Sequence, residues 1–483
     1  MRSSSLWTSI GRTCRWSGLG VLATSFSLCS IAADWPDALV STPGTPENIA
    51  KGQETDAYTL GVSAYVWGYP LVRMERVARE YTDVPNPKPA TSYRAPLNQI
   101  GWARELATPA ALDMPTANND TAYLSAVVDL SKEPYVLTVP DTNDRYYVVD
   151  LFNMWQELEQ YIGRRVTGTK AGKFAIVPPG WNGKLPADVK RLDVTTSKVW
   201  LWGRIRVSAD EDIAKVHALQ DGFDLRPLSA LGNANWKTPA ATLPALPDIG
   251  KDPLGFYTHL GAALKANTIK PADKALAAQF ERIGLTAQGF DPSKLNDAQR
   301  KGLKRAIQDG PLVAVSGIVT SSVRREGWDY VRGLDDFGFN YPLRALVAGP
   351  YLGGQGEKEA VYPIRYTDSA GKPLTGAGTY TVKFSPEPPN DAFWSLTMYD
   401  AKTKMLVSNP IKRYKIGNDT PGLVRGADGS VAISISAKQP ASGDKTNWLP
   451  APKGAFYLLM RIYQPKPAVF DGSYKFPQVE AVK

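Results

Sequence analysis

Apolar side chains recur every three or four positions from about Asn48 to Glu80, through Ala57, Leu60, Ala64, Val72 and Val77. That period predicts a helix, bent or divided where Gly68 and Pro70 fall. After "NNDT" the pattern changes. "TAYLSAVVDL", "PYVLTVP", "RYYVVDLF", "KFAIVPP" and "KVWLWGRIRV" are short β-branched or aromatic runs separated by turn residues, which predicts strands. "SADEDIAKVHALQDGF" predicts a helix capped by Ser208 or Asp210, and helices continue from Asp252-Pro253 to about Glu326. Strands return in "AVYPIRYTD", "GTYTVKFS", "FWSLTMYD", "SVAISISA" and "AFYLLMRIYQP". The elements predict an α+β protein with two β-sandwich domains, residues 112–210 and 340–483. An N-terminal arm with helices (34–111) precedes them, and a helical insert (211–339) separates them.

The two strand blocks share an order. Each has a strand, a polar turn and a second strand, then a loop ending in Asn-Asp, one residue, two aromatics and an alternating strand that closes on an acid. The pairs are Asn143-Asp144 and Asn390-Asp391, the aromatics Tyr146-Tyr147 and Phe393-Trp394, the closing acids Asp150 and Asp400. Two related sandwiches produce this pattern, and so does strand grammar alone. Longer motifs carry a resemblance: "AYVWGYPL", "NNDTAY", "LTVPDTNDRYYVVDLFN" and "AIVPPGWNGKLP" in the first half, "NPIKRYKIGNDTPGL" and "NWLPAPKGAFYLLMRIYQPKP" in the second. In these the chain resembles bacterial proteins that pair two domains of unknown function, number 1254 in the N-terminal half and number 1214 in the C-terminal half. The resemblance implies β-sandwich domains accompanied by helices and, in many members, export. It implies no reaction and no catalytic residues.

Composition narrows the compartment. Arg2, Arg12 and Arg15 precede an apolar stretch that ends in "SIAAD", a signal peptide with cleavage expected after Ala32 or Ala33. A periplasmic or secreted protein follows, with no membrane span once the leader is cleaved. Both cysteines, Cys14 and Cys29, lie in the leader, so the mature chain offers no thiolate for catalysis or metal binding. Leader removal lowers the formal charge from +9 to about +6, scattered along the chain, and nucleic acid is a poor match as partner. His217 and His259 lie in helical segments beside apolar neighbours, which disfavours His-dependent hydrolysis, zinc chemistry and haem ligation. No phosphate-cradling loop or dinucleotide fingerprint is present, and no cofactor is expected.

What remains is carboxylate, amide, guanidinium and ring chemistry. Asn118, Asn119 and Asp120 stand at a strand entrance, where a single Asx residue suffices for a turn. Read as a site, Asp120 is a general base or cation ligand, and Asn118 and Asn119 bind ligand oxygens. Tyr123 and Arg145 supply an acid and a charge stabiliser. A second cluster, Arg413, Tyr414, Asn447, Trp448 and Arg461, suits a carboxylate or sugar hydroxyls stacked on the indole, or orders loops at a sandwich end. Glu157 and Glu159 alternate on a strand and share one face. The leading expectation is an exported protein that binds a small polar or carbohydrate-like ligand, a small molecule or glycan, in a cleft at the sandwich edges. Turnover is left open and no metal is assigned. A non-catalytic envelope accessory protein and a hydrolase using carboxylate-activated water are the alternatives, and a homo-oligomer is compatible with each.

Overall fold

The computed structural model describes residues 38–84, 93–111, 115–209, 212–440 and 445–482. The expected leader and cleavage site lie outside them, as does Asp210. Residues from Ala50 onward form one compact unit.

The architecture is α+β: a long N-terminal helix, two β-sandwiches and a helical stretch between them. Helix α1 (Pro46–Thr82) runs unbroken past Gly68 and Pro70, against the expected division. Packing explains the glycine, because a Cβ on Gly68 would stand 2.4 Å from a Leu260 methyl. Helix α2 (Ile213–Asp221) begins at Asp212, not at Ser208. The Asp212 carboxylate makes no cap bond, because it accepts from Arg145 and from the Ser208 amide. Helices α3 (Gly255–Ala266) and α4 (Asp297–Ser316) follow, the second opened by a capping box between Asn296 and Gln299.

The first sandwich uses strands β1 (Thr121–Asp129), β2 (Tyr135–Val139), β3 (Tyr147–Asn153), β4 (Leu158–Gly163), β5 (Gly172–Val177), β6 (Val189–Asp193), β7 (Lys198–Arg206) and β8 (Asp224–Pro227). The second uses β9 (Ile364–Arg365), β10 (Tyr380–Phe384), β11 (Asn390–Asp400), β12 (Lys415–Gly417), β13 (Val431–Ser436), β14 (Trp448–Pro450), β15 (Phe456–Pro465) and β16 (Val479–Ala481). The strand plans coincide. The large sheets run β1-β7-β3-β4 and β9-β15-β11-β12, and the small sheets β6-β5-β2-β8 and β14-β13-β10-β16. Each small sheet has one parallel pair, β5 with β6 and β13 with β14. The repeat legible in the sequence is therefore also a repeat of topology. Gly101–Trp102 adds to the first large sheet, and Ala360–Val361 and the hairpin Ser322–Arg325 with Trp328–Val331 add to the second.

Alternate residues fill each sandwich. Leu124, Ala126 and Val128 of β1 pack on Leu137, Val139, Phe174 and Ile176, and Leu396 and Met398 of β11 on Val382, Phe384, Ile433 and Ile435. The outer face of the first large sheet is buried too. Tyr123, Val127, Phe152, Trp200 and Trp202 join Trp67, Leu71 and Met74 of α1 and Leu260 of α3. A strand covered on both sides cannot alternate with water, which is why "TAYLSAVV" reads as a continuous apolar run. Farther along that face the sheet meets its counterpart, and Tyr146 and Val148 pack on Ala360, Phe393 and Tyr463.

Candidate functional site

The seam between the two large sheets holds a buried polar cluster. Arg204 projects from β7 opposite Tyr123 of β1 and Val148 of β3. Arg461 projects from β15 opposite Ser395 of β11. Val148 and Ser395 each follow the paired aromatics of the repeat, so the two arginines occupy matched positions in the two sandwiches, both nearly buried at 6% and 3% exposure.

Their surroundings differ. Arg204 donates through Nη1 to Asp150 at 2.7 Å and through Nη2 to the Gly353 carbonyl at 2.9 Å. Gln355 donates to both Asp150 oxygens at 3.1 Å. Burial pushes the Asp150 carboxyl up to about 7, against the pull of Arg204 and Gln355. Arg461 donates to the Thr397 hydroxyl at 3.1 Å, the Thr116 carbonyl at 3.0 Å and the Tyr399 hydroxyl at 2.8 Å. Among the described residues no carboxylate lies within ion-pair distance of it, since Asp120 takes Lys415 at 2.6 Å and the Ser395 hydroxyl at 2.6 Å. Among the described residues neither guanidinium Nε has an acceptor, and neither does the Tyr123 hydroxyl.

Tyrosines surround the pair. Burial raises Tyr463 well above the ordinary phenol range and pushes Tyr362 up to about 12, so both remain hydroxyl donors at neutral pH. Burial opposes the charge on Arg461, and Tyr399, Tyr463, Asp120 and Tyr123 outweigh it. Burial also works against an ionised Asp120, yet Lys415, Arg461 and Ser395 together hold its carboxyl below the usual range. The cluster is not sealed. Tyr362 is half-buried, and Tyr123 keeps 9% of its surface. A surface cleft of about 620 Å³, with Arg165, Asp391 and Gln464 in its lining, adjoins the seam. Arg165 bonds Glu359 at 2.6 Å, and Glu359 accepts from Tyr146 at 2.9 Å.

The residues singled out by the sequence divide into three groups. Asn118, Asp120 and Tyr123 enter the seam, and so does Arg461 of the second cluster. The Asn118 side chain accepts from the Asp120 amide at 2.5 Å, an Asx turn, and also bonds Tyr463 across the seam. Asn119 bonds the Ala107 carbonyl at 2.5 Å. Arg145 lies elsewhere, held by Asp212 and by the Arg206 carbonyl at 2.9 Å. The rest of the second cluster stays apart as loop staples. Asn447 ties Val424 to Ala432, Arg413 bonds the Lys445, Thr446 and Trp448 carbonyls, and the buried Trp448 indole donates to Ser436 O at 3.1 Å. Tyr414 packs beside Tyr399 and Tyr457. Glu157 and Glu159 converge on Asn153, Glu157 pairing with Lys270 and Arg344 and Glu159 with Thr195. His259 bonds Arg76 and the Pro247 carbonyl, and His217 the Arg104 carbonyl, all outside the seam. Among the described residues no three His, Cys, Asp or Glu gather as a metal site would require.

Arg204, Tyr362, Tyr463, Gln355 and Lys415 were not singled out. The available signal was a charge inside an apolar run, "WLWGRIRV" and "YLLMRIYQP", at one position in each half.

Fold and seam define a two-sandwich α+β protein with a polar cluster between matched sheets. Two families match the chain, "Protein of unknown function (DUF1254)" at residues 97–227 and "Protein of unknown function (DUF1214)" at residues 359–467, so it carries this pair of domains. Among solved structures it is similar to the VPA0106 protein of Vibrio parahaemolyticus, at 27% identity and a TM-score of 0.70 over 88% of this chain and 100% of that one. A putative uncharacterized protein from Burkholderia cenocepacia aligns over 92% of this chain and 91% of its own, at 11% identity and a TM-score of 0.42. No curated protein matches the chain.

Proposed function

We propose that the protein binds a small acidic ligand, a carboxylate or similar oxyanion, in the seam between its two large sheets, and that it does so outside the cytoplasm. The leader supports the compartment. One observation carries the ligand class: Arg461 is a nearly buried guanidinium with no acid partner at bonding distance. Asp120 acts on it only from beyond bonding distance, and a ligand carboxylate would supply the direct charge-assisted pair. Tyr463, protonated and accepting from Asn118, adds a neutral donor beside it. Acid recognition displaces the sugar preference, because Trp448, the expected stacking platform, is committed to Ser436. Asp120, tied to Lys415 and Ser395, orders the seam instead of activating water.

Titration calorimetry of the mature chain with small mono- and dicarboxylates, inorganic phosphate and neutral sugars tests this. The acids bind and the sugars do not, and Arg461→Met weakens the tightest acid by about a hundredfold or more. Equal binding of sugars, or an Arg461→Met protein that binds acids unchanged, rules the proposal out.

A further inference from the structure

Most exposed large apolar side chains are scattered singly over this molecule, which needs no explanation. One group is not. Leu312, Val313 and Val315 at the end of α4, Val319 in the turn after it and Phe339 are 69%, 36%, 58%, 79% and 69% exposed. Asn340 donates to the Thr320 hydroxyl at 2.7 Å, which brings Phe339 beside Val319. The spacing of Lys301, Lys304, Gln308, Leu312, Val315 and Val319 is three or four residues at each step, so they form one stripe along the helix and its continuation. All six are exposed. The stripe begins in cations and ends in apolar side chains.

We infer that this stripe docks the protein on an anionic lipid surface, Leu312, Val315, Val319 and Phe339 entering the headgroup layer while Lys301 and Lys304 meet lipid phosphates. Charge selects this occupant over a second copy of the chain. Lys304 has no ion pair among the described residues, and Lys301 meets only Glu54, at 2.9 Å and on the surface. Two copies of α4 crossed about Leu312 would bring the lysines of one against Val315 and Val319 of the other, with no acid to receive them. Of the acids near the stripe, Glu54 is shared between Lys301 and Arg305, Asp309 accepts from Tyr58 at 3.0 Å, and Asp336 lies beyond the apolar end in the segment of Phe339. The composition agrees, since protein interfaces favour Trp, Tyr and Met and are poor in Lys, whereas surface-bound helices combine Lys with Leu and Phe. No described helix is long and apolar enough to cross a membrane, so the attachment is peripheral.

The test uses the chain from Asp34 onward, the form expected after leader removal, so that the leader does not anchor it. Co-sedimentation is measured with vesicles of phosphatidylethanolamine containing one quarter phosphatidylglycerol, and with pure phosphatidylcholine. Binding is expected to the first and much weaker to the second, falling as salt rises. Lys301→Gln with Lys304→Gln lowers partitioning by about thirtyfold. Val315→Asp with Val319→Asp abolishes it at an unchanged melting temperature, these side chains being exposed. No sedimentation with either vesicle, or sedimentation indifferent to both double variants, overturns the inference. So does a dimer in the ultracentrifuge that Val315→Asp with Val319→Asp dissolves while vesicles leave the protein in solution.

Discussion

Asp120 shows how one residue reads as a turn from the sequence and as a keystone in the fold. The local prediction concerned only the chain around it, and the Asx turn from Asn118 agrees with that reading. Its tie to Lys415 and Ser395 spans almost three hundred residues, and no local pattern encodes such a partner. Asp120→Asn would strand Lys415 and cost about 3 kcal/mol or more at neutral pH. The sign with pH follows from its lowered carboxyl. The contribution is complete above the unfolded chain's value and disappears as pH falls through the lower folded value. Urea unfolding across an acid series should therefore show wild type losing stability on acidification while Asp120→Asn stays flatter. Parallel curves would show that the pair contributes nothing. Arg145 is the converse case. Its place at the start of a strand suggested a site, but Asp212, a helix residue sixty-seven positions on, claims it.

Elements were legible where their period is strong and less so where tertiary structure supplies the reason. The runs behind β1, β7 and β15 matched strands almost to the residue, "AVYPIRYTD" split into Ala360–Val361 and β9, and edge pieces such as β6, β12 and β16 carry too few apolar positions to stand out. Helix α1 continues through Gly61 and Gly68 because these two serve close approach. A Cβ on Gly302 of α4 would stand 2.3 Å from the Glu54 carbonyl of α1, whereas one on Gly52 of α1 would meet nothing within 4 Å. Opposite outcomes follow for one substitution. Gly52→Ala should stabilise by about 0.5–1 kcal/mol through helix propensity, and Gly302→Ala should destabilise by about 1–3 kcal/mol despite the same gain. Thermal unfolding of the two variants decides. If Gly302→Ala is the more stable, the α1–α4 packing described above is wrong.

For the molecule as a whole, the shared plan was visible as a repeat of Asn-Asp and paired aromatics, but its consequence was not. The sequence placed the expected ligand at sandwich edges, whereas the polar cluster lies where two sheet faces meet. Which faces would meet depends on packing that no strand pattern states. Because Tyr146, Val148, Phe393 and Tyr463 are all buried in that meeting, the sandwiches should unfold together. A single transition seen by both tryptophan fluorescence and limited proteolysis is expected, and two well-separated steps would refute it. The coincidence of the two strand plans has one more implication. Two identical subunits meeting in this way would present twin mouths, each guanidinium answered alike. Fusion in one polypeptide keeps the partners from drifting apart on dilution and frees them to differ. Here one half answers its arginine with Asp150, while the other meets its own with the neutral oxygens of Thr397, Tyr399 and the Thr116 carbonyl.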